Sequence, residues 1–543
     1  MAEAAPTYTG LVLDGLARDR GRVAIRYGVD GTLTGQDCLD AVHRAARALE
    51  RIGLGRGDGV TVLAGNRPEA LLVRLAANLL GCRVAMPRPD GPVAEQVALA
   101  EFAGTSALVF DPLRCSAAAA GVARAVPGAA LLSLGPAPSG LGEDLLESAA
   151  RCSAAPFAPR HEPEDVMAVR FTGGTTGRPK GVLRRFARPP RPPLLSGSTF
   201  LLCTPLCHGG GTTADLALAA GGTVVLQEGF DAGAVLAAVE RFRVSRMYLP
   251  PHLLYRLLDH PRLSATDAGS LRRVGYTGCP PSPRRLAEAT RRLGRVLHQT
   301  YSLTECGPVA RLGPDEHLDP RLLTTAGRPY PDTGVRILDE EGAALPPGRT
   351  GEICVRTPTA MVGYWRDPEL TARVLRDGWL HTGDLGSLDA AGYLTVAGRR
   401  DPMAIVEGHN VFPREVEEPL RAHPDVREAV MFTTTDPDRL ERVHAAVALA
   451  DGSRTTAGQL RRWSREHGDA RCAPDTVLLL PAIPLNGLGK PDLGLLRALT
   501  GDHGPTGREP DPTGHDPTDG GPTDGRATDG GCRTAAAGAR EGA

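Results

Sequence analysis

Residues 171–181 read Phe-Thr-Gly-Gly-Thr-Thr-Gly-Arg-Pro-Lys-Gly and follow directly on a strand-like apolar run, Val166–Phe171. Glycines take φ > 0 and let the backbone approach an anion closely, so consecutive N–H groups in such a loop converge on phosphate oxygens. Thr172, Thr175 and Thr176 add hydroxyl donors, and Lys180 adds a compact positive charge. An isolated glycine-rich stretch is usually a flexible surface loop, and this one lacks the Gly-Lys-Ser/Thr of a Walker A motif. Lysine usage lifts it above that reading. Of 62 basic residues, only Lys180 and Lys490 are lysine. A chain that uses arginine wherever a surface charge suffices keeps lysine where a slim ammonium is required. Both lysines lie in glycine-containing stretches, which marks two distant positions as chemical partners.

The surrounding pattern sets the fold class. Cys38, Leu39, Val42, Ala46 and Leu49 recur at helical spacing after Thr34, an N-cap with Asp37 at the third helical position. Gly59–Ala64 reads as a buried strand, Asn66 and Pro68 open the next helix, and Ala107–Phe110 is another strand. Strand and helix alternate again through Phe200–Cys203, Val224–Leu226, Ala234–Phe242, Met247–Leu249, Arg272–Gly275 and Val296–His298. This predicts an α/β domain with largely parallel sheets, whose ligands bind at the carboxyl ends of the strands. At 543 residues the chain exceeds one hydrophobic core. A change of texture near residue 396 divides a large N-terminal α/β domain, residues 1–396, from a smaller α+β domain, residues 402–500. Residues 397–401 form the hinge, and residues 501–543, rich in Gly, Pro, Asp and Thr, form a disordered tail.

Composition excludes several classes. A net charge of −1 gives no pull towards nucleic acid or an anionic membrane. The chain shows no signal peptide and no apolar run long enough to span a bilayer. Its 11 cysteines are scattered without a Cys-x-x-Cys pair, which fits reduced thiols in a cytoplasmic protein. Cys203, Cys207 and His208 are close in sequence, but no second ligand pair stands at zinc spacing.

Four further stretches follow the glycine-rich loop in order: Gln-Thr-Tyr-Ser-Leu-Thr-Glu (299–305), Gly-Trp-Leu-His-Thr-Gly-Asp (378–384), Gly-Arg-Arg-Asp (398–401) and Leu-Asn-Gly-Leu-Gly-Lys (485–490). With them the chain resembles the adenylate-forming, AMP-binding superfamily over roughly residues 20–500. Tyr-Thr-Gly-Cys-Pro (276–280) ahead of Tyr-Ser-Leu-Thr-Glu is most similar to the fatty-acid and aryl-acid CoA ligase branches.

The resemblance implies ATP- and Mg²⁺-dependent activation of a small or aromatic carboxylic acid as an acyl-adenylate, followed by transfer to CoA. Thr172, Gly173, Gly174, Thr175, Thr176, Gly177 and Lys180 would hold the ATP phosphates. Thr304 and Glu305 match the pair that meets phosphate and Mg²⁺. Thr277, Gly278, Cys279, Pro280 and Tyr301 match the segments that sandwich adenine. Asp384 matches the ribose-binding carboxylate and Arg399 a further nucleotide contact. Lys490 matches the lysine that meets the reacting carboxylate and α-phosphate, and Asp401 the hinge about which the small domain swings. His208, Gly209, Gly278 and Ser302 would line the acid pocket.

Departures from the family pattern bear on the acid and the acceptor. Gly173 replaces a usual serine and removes one hydroxyl from the phosphate loop, while Ser302 replaces a usual glycine near the acyl pocket, which points to a compact, polar or aromatic acid. Glu407 puts a bulky anion where CoA ligases carry a small residue, while Ile405 and Leu493 replace frequent basic residues. Two alternative acceptors follow: a carrier-protein phosphopantetheine, or an aromatic amine diazotised by activated nitrite, as in secondary metabolism and antibiotic biosynthesis. A nucleotide-binding sensor without chemistry is the non-enzymatic alternative, opposed by Lys180, Glu305, Asp384 and Lys490 occurring together.

Overall fold

Two mainly parallel sheets with helices between them carry the N-terminal part of the chain. The computed structural model describes residues 7–137, 140–172, 180–187, 197–278, 281–399, 404–406, 409–435, 441–468, 470–486 and 490–501. In the larger sheet the strands Leu297–Leu303, Arg273–Tyr276, Arg246–Tyr248, Thr199–Leu202, Thr223–Leu226 and Val23–Tyr27 run parallel in that order, flanked by antiparallel edges. The second sheet is parallel through Val166–Thr172, and Lys180–Arg185 closes it as an antiparallel edge. The alternation read from the sequence is therefore present, and parallel strands such as Gly59–Leu63 and Ala107–Phe110 are the continuous buried runs that burial on both faces requires.

The helices Tyr8–Ala17, Gly35–Arg51, Pro68–Leu79 and Gly209–Ala219 share one apolar core with residues of both sheets, among them Ile25, Val60, Ala107, Phe200 and Val224. Thr34 and Asp37 form the expected capping box on Gly35–Arg51, with Thr34 Oγ1 accepting from the Asp37 N–H at 3.1 Å; such a cap contributes about 1 kcal/mol. Pro68–Leu79 is apolar nearly all round because it lies inside the molecule. Asp215, fully buried on Gly209–Ala219, accepts from the Tyr8 hydroxyl at 2.7 Å and pairs with Arg74, tying three helices by one carboxylate. One expectation differs. Asn66 does not cap the helix at Pro68, whose N-cap is Arg67 without a side-chain bond. The Asn66 amide instead donates to the Thr204 and Gln227 carbonyls at 2.9 Å and accepts from the Leu206 N–H at 2.8 Å. It is a buried clamp between the two sheets' loops.

A third, antiparallel sheet was not foreseen from the sequence pattern. It pairs Gly334–Leu338, Gly351–Arg356, Trp379–Leu388 and Leu394–Arg399. Beyond it a three-stranded sheet, Val426–Thr435, Glu441–Leu449 and Thr476–Leu480, packs with the helices Pro413–Ala422 and Ala457–His467 as the smaller C-terminal α+β domain. Residues 1–498 form one compact unit. No described helix is long and apolar enough to cross a membrane.

Candidate active site

The glycine-rich stretch lies between two strands that pair antiparallel. Thr172 ends one strand, Lys180 begins the next, and the two residues pair across the antiparallel ladder. Gly173, Gly174, Thr175, Thr176 and Gly177 lie in the connection, outside the described residues, as do Cys279, Pro280, Asp401 and Glu407. The two-residue period of the Lys180–Arg185 strand puts Lys180, Val182 and Arg184 on one face. Lys180 Nζ sits 5.8 Å from the centre of the Tyr364 ring. The Tyr364 hydroxyl in turn donates to Glu305 Oε1 at 3.0 Å, while the Glu305 carbonyl accepts from the Met361 N–H at 2.7 Å. Arg184 donates to the carbonyls of Thr304 and Thr359. Burial, and secondarily Arg170, lowers the Arg184 pKa to about 10, so it stays protonated at neutral pH. One strand thus presents two cations to the Thr304–Glu305 pair, the second of which sequence reasoning missed. Tyr364 was missed as well; its signal was the aromatic face that a rare lysine needs nearby.

Asp384 is the centre of a second group. It is 6% exposed, on the Trp379–Leu388 strand opposite Arg399 of Leu394–Arg399. Tyr301 donates its hydroxyl to Asp384 Oδ2 at 2.5 Å, and Arg399 Nε lies 3.0 Å from Oδ1. Burial raises the Asp384 pKa, against the pull of Arg399 and Tyr301 towards the ionised form. The turn ahead of Asp384 is fixed by Glu352, whose Oε1 accepts from the Gly383 N–H at 3.1 Å and whose Oε2 lies 3.0 Å from His381 Nδ1. With Cys354, these form the one described trio of metal-type donors close enough to share an ion. Their hydrogen bonds already give them a structural task.

The third group surrounds His208, the N-cap of Gly209–Ala219. A Cβ at Gly210 would fall 2.3 Å from Thr204 Oγ1, and one at Gly211 2.0 Å from the Leu206 carbonyl oxygen. Both glycines are thus required for this helix start to pack on the 204–206 loop. His208 Nε2 is buried without a hydrogen-bond partner among the described residues. Burial, and then Arg88 and Arg170, pushes the His208 pKa down to about 4, so the ring is neutral at physiological pH. His208 lines a solvent-open cleft of about 810 Å³ together with Cys207, Arg88, Arg170, Met86 and Leu99. Gly209 faces Tyr248, and Ser302 Oγ lies 3.3 Å from Thr277 Oγ1. Gly278 has φ +103° and leaves open space where a side chain would stand.

Lys490 joins these groups. Its N–H donates to Asn486 Oδ1 at 3.2 Å, and the Asn486 N–H to its carbonyl at 2.7 Å, framing the segment 487–489. The Asn486 carbonyl meets Arg88 Nη1 at 3.4 Å, which docks this C-terminal segment on the N-terminal part. After burial and the nearer arginines, the charge of Lys490 adds to the lowering of the His208 pKa, and it opposes the burial that raises the Asp384 pKa. Of the two lysines singled out by their rarity, Lys180 approaches Tyr364, which bonds Glu305, while the charge of Lys490 acts on His208 and Asp384.

Comparison with known proteins agrees with this arrangement. The AMP-binding enzyme family model matches residues 14–365, and the AMP-binding enzyme C-terminal domain model matches residues 415–490. The chain is 34% identical over 521 residues to a medium/long-chain-fatty-acid–CoA ligase of Mycobacterium tuberculosis, covering 91% of this chain and 90% of the relative. It is 33% identical over 488 residues to a feruloyl-CoA synthase of an Amycolatopsis species, covering 86% and 94%. The structure of the amide bond synthetase McbA from Marinactinospora thermotolerans superposes with a TM-score of 0.82 at 39% identity, covering 91% of this chain and 99% of that one. Each is named for an acid or an amide product, which gives the nitrite alternative no support. The chain belongs to the AMP-binding enzyme family and is an adenylate-forming ligase of the acid–CoA ligase type.

Proposed function

We propose that this enzyme uses ATP to convert an organic carboxylic acid into an acyl-adenylate at the site where Lys490, His208 and Asp384 meet, and then passes the acyl group to CoA. The observation that supports this reading is the Arg88–Asn486 contact, which brings the segment carrying Lys490 against the N-terminal part of the chain, where its charge acts on both His208 and Asp384. A fixed ammonium there stabilises the negative charge that accumulates as the carboxylate attacks the α-phosphate, a charge greater in the transition state than in the ground state.

The remaining roles follow from position. Thr172, Lys180 and the loop between them cradle the phosphates, with Tyr364 holding Lys180 in place. Asp384 accepts from the ribose hydroxyls, oriented by Arg399 and Tyr301. Thr277, Gly278 and Tyr301 bound the adenine side. Glu305 and the Thr304 hydroxyl form an all-oxygen donor pair of the kind a hard cation takes, which fits Mg²⁺. The ion would neutralise phosphate charge, and Arg184 would keep both residues in position from behind. Gly209, Tyr248 and Ser302 take the acid, while neutral His208 stands between it and the cleft. After adenylation the C-terminal domain, residues 402–500, turns about Asp401, which withdraws Lys490 and frees the cleft for the acceptor. The reaction belongs in the cytosol, where the nine described cysteines stay as free thiols.

A second acceptor is an amine. The 39% identity to an amide bond synthetase over nearly its whole length favours keeping it beside CoA. AMP release by purified enzyme with ATP, Mg²⁺ and benzoate- and cinnamate-type acids, with CoA, an amine, a carrier protein or no acceptor, decides among them. Acid-dependent release of pyrophosphate without an acceptor, with acyl-adenylate left on the enzyme, supports adenylation, and AMP release together with a thioester or amide identifies the acceptor. Release of neither pyrophosphate nor AMP in any combination would refute the reading.

A further inference from the structure

Four basic groups share the face of the large sheet that carries Tyr248 and Thr277, and adenylation gives them no task. The strand register places them. Tyr248 pairs with Gly275, and Gly275 with His298; one row away, Arg246 pairs with Arg273, and on the antiparallel neighbour Thr300 pairs with Arg311. Alternation puts Met247, Val274, Tyr276 and Leu297 on the opposite face, inside the helix-covered core. Arg246, Arg273, His298 and Arg311 therefore lie on the face of Tyr248 and Thr277.

The middle of this face carries no side chain at Gly275, between Tyr248 and His298, and a Cβ there would meet Tyr248 Cδ2 at 3.6 Å. A flat group can pass over that glycine from the Thr277–Ser302 end towards Arg246 and Arg273. Four residue steps lead from Arg273 to Thr277, a reach of roughly 13 Å.

The far end is cationic, and among the described residues no carboxylate pairs with Arg246, Arg273 or Arg311. The Arg246 side chain has no hydrogen-bond or ion-pair partner among the described residues. Arg273 meets the neutral Tyr330 phenol, and the Arg311 guanidinium lies 5.4 Å from the centre of the same ring. Burial first, and each other's charge next, lowers the pKa of Arg246; burial likewise dominates for Arg273. The same burial and the Arg273 charge push His298 down to about 3, leaving a neutral imidazole. Three guanidinium groups held together against their own repulsion are what an anion, once bound, would relieve.

We infer that Arg246, Arg273 and Arg311, with His298, form a subsite for a second acidic group on the acid substrate. The inference rests on the adenylation reading, which fixes the reacting end at Lys490. It narrows the substrates to elongated acids, aromatic or alicyclic, with an anionic group on the order of 10 Å from the carboxyl that is activated.

The test compares AMP formation from 4-carboxycinnamate with cinnamate, and from nonanedioate with nonanoate. The second carboxylate should lower KM about tenfold in the wild-type enzyme, as one well-placed ion pair provides. Arg273→Gln should remove that advantage while leaving kcat/KM for cinnamate within about twofold, and Arg273→Lys should restore part of it. Arg246→Gln serves as a second variant should Arg273→Gln fold poorly. Inorganic sulfate should compete with 4-carboxycinnamate and not with cinnamate. AMP formation from cinnamate with no advantage for either diacid overturns the subsite and leaves the ligase reading intact. Stabilisation by sulfate without any diacid preference would identify a site for free anions and overturn the substrate assignment. No AMP from any acid overturns both readings together.

Discussion

The Tyr301 hydroxyl donates to Asp384 Oδ2 at 2.5 Å, joining the last parallel strand of the large sheet to the small antiparallel sheet. Arg399 closes the same carboxylate from the other side at 3.0 Å. This bond accounts for two residues at once, because the phenol orients the carboxylate and the carboxylate fixes the ring. Tyr301→Phe should lower stability by about 1 kcal/mol and raise the KM for ATP several-fold, read by urea unfolding and by AMP formation. Arg399→Ala removes the charge partner of a buried carboxylate and should be more damaging, about 2 kcal/mol, since Arg399 itself is half exposed. Equal effects from the two variants would contradict this ordering.

Lys490 acts in the transition state, so Lys490→Ala should reduce kcat for AMP formation by at least about a hundredfold with little change in ATP affinity. Titration of ATP binding and steady-state AMP release, run on the same preparation, separate the two quantities. Transfer from a chemically prepared acyl-adenylate should survive the substitution, because the lysine has left the site by then.

Arg184 bonds two carbonyls, Thr304 and Thr359, from a buried position. Arg184→Met should leave both without that donor and cost about 2–4 kcal/mol of stability. It should also raise the KM for ATP roughly tenfold by releasing Thr304 and Glu305, with partial rescue by Arg184→Lys. Loss of stability with an unchanged KM would make Arg184 structural only.

His208 and His298 are neutral in the folded protein, with pKa values pushed down to about 4 and about 3. The unfolded chain takes up their protons near the ordinary histidine value, so their stabilising contribution is complete above about pH 6.5. It is lost as pH falls towards the folded values, and unfolding free energy should drop between pH 7 and pH 5 by about 1–2 kcal/mol per histidine. His208→Asn should make that slope shallower in urea titrations. The pH profile of kcat should show no break near 6.5 from His208, since it does not ionise there.

What the sequence disclosed was whatever local chemistry specifies. The Thr34–Asp37 cap, the buried strand at Gly59–Leu63 and the largely parallel sheets followed from spacing and side-chain type, and the structure has them. Asn66 shows the limit: a cap-type residue two positions before Pro68 was read locally, while its amide satisfies backbone groups more than a hundred residues away. The antiparallel sheet around Asp384 was missed because its strands are partly exposed and interrupted by turns, so no continuous apolar run announces them. Lys180 and Lys490 were legible by rarity. Arg184 was hidden by the abundance of arginine that made the lysines conspicuous, though its even spacing from Lys180 along one strand placed it on the same face.

The central claim is that Lys180, Glu305, Asp384 and Lys490 together activate an acid at the α-phosphate. Mass spectrometry of a single turnover with ATP, Mg²⁺ and 4-carboxycinnamate or cinnamate, with no acceptor present, tests it most directly. The account predicts an enzyme-bound acyl-adenylate and one equivalent of pyrophosphate, both absent without acid and both lost in Lys490→Ala. ATP bound and recovered intact with every acid offered would contradict it.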